Sequence, residues 1–92
     1  MKFEWDESKK ISNSEKHGIS LEVAKTLFVT PLAEIFDDPQ HSIDDIRQII
    51  IGHSNQNQLL LVVFTERFGM IRIISARLAT RRERESYEQN RF

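Results

Sequence analysis

Hydrophobic residues gather in three dense runs in the second half of the chain and thin out toward both ends. Arg47–Gly52, Gln58–Thr65 and Met70–Arg77 are rich in Ile, Leu, Val and Phe, a composition that favours sheet over helix. The connectors "HSNQNQ" and "ERFG" are short enough to be hairpin turns, so these strands should pair antiparallel. Met1 to Trp5 is a shorter strand candidate with Phe3 and Trp5 on one face, and Leu32 to Phe36 alternates apolar and polar positions. "DDPQHSIDD" then reads as an acidic loop or a short helical turn.

Helical periodicity occupies the remainder. Asp6 is placed to cap a polar helix that runs to about His17, where Gly18 can stop it in a left-handed conformation. Ser20 can cap a second helix through Phe28, with Leu21, Ala24, Leu27 and Phe28 as its apolar stripe. Thr80-Arg81-Arg82-Glu83 reads as a capping box that opens a C-terminal helix. The order predicts one α+β domain over residues 1–92: an antiparallel sheet of four to five strands, two N-terminal helices and one C-terminal helix. The helices are expected on one face of the sheet, with the second covering the core. The last offers little apolar surface beyond Ala79 and Tyr87, so it is expected to be weakly held or completed by a partner.

Composition narrows the chemistry. The chain has no cysteine, which excludes disulfides and thiolate metal sites. No apolar stretch approaches membrane-spanning length and no signal peptide is visible, so a soluble cytoplasmic protein is expected. The net charge of −1 conceals a separation. Residues 1–45 hold five Lys against ten Asp plus Glu (net −5), and residues 46–92 hold eight Arg against four Glu (net +4). A local basic face on a nearly neutral protein fits a selective nucleic-acid site better than indiscriminate binding.

The candidate site residues follow from that separation. Arg72 and Arg77 can each grip a phosphate through paired hydrogen bonds and stay charged at any working pH. They stand five apart, so a regular strand would send them to opposite faces; sharing a site needs a bulge or strand end near Ser75 to Arg77. Glu66 ends the preceding strand, across a short turn from Arg72, as an ion-pair partner or a general base. Lys16 and His17 close the first helix, where the dipole favours a cation, and His17 doubles as an acid–base candidate. His41 and His53 have no partner at ligand spacing, and no metal site is expected. The arginines of the last helix can pair along its surface, Arg81 with Glu85 and Arg84 with Glu88, or present a face to RNA or protein.

"KFEWDESK", "KHGIS", "VVFTER" and "RIISARLATRRERESYE" together resemble the BrnT family of bacterial toxins, in the same order over almost the whole chain. The resemblance implies a RelE-like fold and an endoribonuclease that inhibits translation and growth. It implies no metal and no cofactor: the substrate's own 2′-OH attacks the adjacent phosphate, assisted by basic side chains. Carried over by position, the motifs imply His17, Glu66, Arg72 and Arg77 as catalytic residues, with Lys16 and Arg67 orienting the RNA backbone. Arg81 and Arg82 are implied as substrate or antitoxin contacts. The implied partners are the RNA substrate and a BrnA-type antitoxin, with operator DNA met only through the antitoxin complex and no membrane. The residues themselves leave open a non-catalytic nucleic-acid-binding module or a regulatory interaction module.

Overall fold

A computed structural model describes residues 1–38 and 46–90. The expected acidic loop falls mainly at 39–45, with His41, outside the described residues. β1 (Lys2–Glu4) leads into α1 (Glu7–His17) and α2 (Leu21–Ala24), and a 3-10 turn (Lys25–Val29) continues α2. β2 (Glu34–Asp37), β3 (Gln48–His53), β4 (Leu59–Arg67), β5 (Met70–Leu78) and α3 (Arg81–Glu88) complete the α+β domain. The five strands lie in the order β1-β5-β4-β3-β2.

Local chemistry sets the element boundaries. The Asp6 side chain accepts from the Lys9 N–H at the start of α1, and Gly18 ends the helix at φ 68°. Ser20 caps α2 through the Val23 N–H. The expected helix to Phe28 tightens to a 3-10 turn at Lys25, where the Thr26 and Thr30 hydroxyls donate to the Val23 and Thr26 carbonyls. The strand expected from Leu32 begins at Glu34, because Leu32 has φ 71° and cannot lie in a pleat. Phe68 and Gly69 both have positive φ and close the β4–β5 hairpin as a two-residue turn.

Two expectations about the layers are corrected. β1 pairs with β5 in parallel, Glu4 opposite Arg72, because α1 and α2 carry the chain from one end of the sheet to the other. α3 does not share a face with the other helices. Leu21, Ala24 and Leu27 pack on Ile50, Leu60, Val62, Phe64, Ile71, Ile73 and Ala76, which define the sheet's inner face. Directly opposed residues share a face, so Glu34, Ile51, Leu61 and Arg77 form a row on the outer face, with His53 and Leu59 in the next row. α3 reaches that face at both ends, through Glu83 to Arg77 and through Tyr87 to His53. Ile51, Leu59 and Leu61, on the same outer face, are all buried. In place of apolar surface, α3 is held by an ion pair near its start and a ring–ring contact near its end.

Candidate nucleic-acid interface

The two-arginine site depends on an irregularity in β5, and the irregularity is present. Val63 pairs with Ser75 and Phe64 with Ile73, so Ile74 is an extra residue without an opposite number. The inward-facing residues of β5 are accordingly Ile71, Ile73 and Ala76, spaced by two and then by three. The change of phase turns Arg72, Ser75 and Arg77 all to the outer face. Asn13 of α1 pins the shifted segment. Its amide donates to the Ala76 and Ile19 carbonyls and accepts from the Ala76 N–H, each at 2.9 Å. One buried side chain thus serves the open edge of β5 beyond β1, as a neighbouring strand would.

Each arginine is engaged by a carboxylate that the sequence reading did not assign to it. Arg77 forms a bidentate pair with Glu83 at 2.8 and 2.9 Å and donates to the Leu78 carbonyl at 3.2 Å. Glu83 also accepts from the Thr80 N–H at 2.8 Å within the capping box. The Arg77 guanidinium is the main reason the Glu83 carboxyl lies at about 2 rather than 4.5. Arg72 meets Glu4 at 3.3 Å, with 42% and 46% of the two side chains exposed. Glu66 is not part of this group: it stands opposite Ile71 and so lies on the inner-face side of the hairpin, whereas Thr65 stands opposite Arg72. Glu4 occupies the place beside Arg72 expected of Glu66. Its alternation with Phe3 and Trp5 marked it as outward-facing, but nothing in the sequence named β5 as its neighbour.

The C-terminal turn of α1 brings further cations to the bulge. Lys9, Ser12, Asn13, Lys16 and His17 line a groove of about 200 Å³ whose far wall is Ile74 and Ser75. Lys9 and Lys16 are exposed, and His17 is half-buried. The Asp6 carboxyl nearby is held below its usual range, by the Ser8 hydroxyl first and the Lys9 N–H next, with a smaller part from the Arg72 charge. Arg67 lies opposite Met70, on the face of Arg72 but at the hairpin tip. Arg81 pairs with Glu85 at 3.2 Å on the exposed side of α3, and Arg82 is exposed beside it. The structure therefore gathers Lys16, His17, Arg72 and Arg77 around the bulge, with Lys9, Ser12, Ser75 and Glu4 as additions. Glu66, Arg67, Arg81 and Arg82 lie outside that group. Lys9 could have been found from its spacing, one and two helical turns before Asn13 and Lys16.

In this small α+β fold the bulge lies between cations of a helix end, at the groove beside it, and two arginines on the outer face of the strand, an arrangement suited to a polyanion. The family model described as the ribonuclease toxin BrnT of type II toxin–antitoxin systems matches residues 5–83, and the chain belongs to that family. It is thus a ribonuclease toxin, whose family implies an RNA target and an antitoxin partner. The 1.1 Å crystal structure of the Brucella abortus ribonuclease toxin BrnT is similar, with a TM-score of 0.68 and 27% identity. That match covers 88% of this chain and 99% of the Brucella chain. No curated protein sequence matches the chain. Among the described residues, no helix is long and apolar enough to cross a membrane.

Proposed function

We propose that the chain cleaves RNA at the β5 bulge without a metal ion, and so inhibits translation and growth until a BrnA-type antitoxin neutralises it. The observation that carries this reading is the phase change at Ile74, which turns Arg72, Ser75 and Arg77 to one face beside the groove lined by Lys16 and His17. The 2′ oxygen bonds to phosphorus, the bond to the 5′ oxygen breaks, and the products are a 2′,3′-cyclic phosphate and a 5′-OH. His17 takes the 2′-OH proton, and the departing 5′ oxygen is protonated from solvent. Arg72 holds and neutralises the phosphate, and Lys16 orients the backbone. Glu4 positions Arg72. The bidentate hold of Glu83 on Arg77 favours Arg77 as the residue that secures α3 beside the site, with part of its charge still offered to the substrate. Arg67, Arg81 and Arg82 extend the surface toward RNA or antitoxin. Operator DNA is met only through the antitoxin complex, and the site of action is the cytoplasm.

The test is cleavage of a defined RNA by purified protein, wild type beside Arg72→Ala and His17→Ala. Each substitution should lower the rate about a hundredfold or more, cyclic phosphate ends should accumulate, and a chelator should leave the rate unchanged. Binding that weakens steeply with salt while the RNA stays intact would make the chain a binding module instead. A protein that ignores RNA yet binds the neighbouring gene product would be an interaction module.

A further inference from the structure

The outer face carries a second feature, remote from the bulge and opposite in charge. Leu32, Ala33 and Glu34 face Tyr87, Glu88 and Asn90 across a cavity of about 460 Å³, more than twice the volume of the groove beside α1. One carboxylate oxygen of Glu34, Oε2, is fully enclosed and meets no hydrogen-bond partner among the described residues. A buried carboxylate oxygen without a donor is a standing energetic cost, and natural proteins keep few of them. The neighbouring Tyr87 hydroxyl does not relieve it, because that hydroxyl donates to the Leu32 carbonyl at 2.9 Å. Burial, and then the Glu34 charge, push the Tyr87 phenol above its ordinary range, so the wall beside Glu34 is electronegative.

The rim shows a second cost. Leu32 sits at φ 71°, a conformation uncommon for any side chain other than glycine, with 85% of its surface exposed. Val29, three residues earlier, is 78% exposed. An apolar residue held in a disfavoured conformation and turned to water, next to an unpaired carboxylate, is unfavourable in the free chain on both counts.

We infer that this cavity between β2 and the end of α3 receives an arginine side chain from a protein partner, with the guanidinium on Glu34 and its stem against Leu32 and Tyr87. Charge complementarity selects the occupant. Among the described residues the lining includes Glu34 and Glu88 and no Lys or Arg, a charge that disfavours an RNA phosphate. No group of three or more His, Cys, Asp or Glu among the described residues could hold a metal ion. A guanidinium supplies the missing donor, and its three methylenes cover the apolar rim. β2 is also the last strand of the sheet among the described residues, so its outer edge is paired with no other described strand. Resting on the toxin reading above, the partner is the antitoxin. The arrangement would let it grip the toxin on the acidic side of α3 while the basic side faces RNA.

Two measurements on the full chain test this separately. In the first, the probe is the blocked tripeptide Ala-Arg-Ala, titrated against amide resonances beside its citrulline counterpart, which keeps the shape and loses the charge. Saturable shifts should be confined to residues 32–34 and 87–90, and should weaken about tenfold or more with citrulline or in Glu34→Gln. Equal binding of the two peptides, or binding unchanged in Glu34→Gln, overturns the inference. So does binding that rises only when Arg91 is removed, since the chain's own end would then be the occupant. In the second, Glu34→Arg is expressed with and without the neighbouring antitoxin gene. It should arrest growth as wild type does when alone, and resist neutralisation. Neutralisation at the wild-type level overturns the inference, whereas a wild type that never arrests growth overturns the toxin reading and leaves the peptide result to judge the cavity.

Discussion

Replacing Glu83 with alanine removes three hydrogen bonds at once: two from the Arg77 guanidinium and one from the Thr80 N–H. The carboxyl lies at about 2 instead of 4.5. Taken whole, such a displacement corresponds to about 3 kcal/mol. Water reaches 36% of the Arg77 side chain and 22% of that of Glu83, which reduces the ion pair to about 1–2 kcal/mol. The capping contact adds roughly 0.5–1 kcal/mol. Glu83→Ala should therefore destabilise the protein by about 1.5–3 kcal/mol, or roughly 6–24 °C in Tm for a chain of 92 residues. The folded carboxyl is more acidic than the unfolded one, so this contribution is present above pH 4.5 and is lost as pH falls toward 2. Thermal melts of wild type and Glu83→Gln between those limits should converge at the acid end. A cycle with Arg77→Ala should give a coupling of about 1–2 kcal/mol. Strict additivity, or a Glu83→Ala melt within about 2 °C of wild type, would refute the clamp. The outcome also decides how Arg77→Ala is read in activity assays, because that substitution loosens α3 as well as removing a cation.

Asn13→Ala should lower stability by about 2–4 kcal/mol, since the Ala76 N–H and the Ala76 and Ile19 carbonyls lose buried partners. Urea unfolding should show a lower midpoint at an unchanged slope, and Asn13→Asp should also fail because a carboxylate donates nothing to the two carbonyls. Gly52→Ala would place a methyl 2.9 Å from the Ala33 Cβ, and should cost about 1–3 kcal/mol, partly restored by Ala33→Gly.

What the sequence revealed was local. Asp6, Gly18, Ser20 and the Thr80–Glu83 box act on neighbours within four residues, so cap chemistry located the start of each helix and the end of α1. The odd spacing of Arg72 and Arg77 exposed the need for a bulge or a strand end, because an unbroken strand's period of two sends residues five apart to opposite faces. The missing parts join distant segments. Glu4 meets Arg72 only because β1 runs parallel beside β5, and Asn13 meets Ala76 across 63 residues. Glu66 misled because it is near Arg72 in the hairpin, yet register assigns it to the other face. Glu83 was legible as a cap but not as the anchor of Arg77, since its own helix explained its presence.

β5, the last strand synthesised, is not added at the margin of the sheet but inserted between the first strand and the fourth. A nascent chain that ends before Met70 has a gap where this inner strand belongs, and α1 has no strand edge to grip. The cations around the bulge come from α1 and from the missing strand itself, Lys16 and His17 from the first and Arg72 and Arg77 from the second. The proposed surface can therefore form only once the arginines of β5 have been made and placed. Products terminated before Met70 should be without RNA-cleaving activity.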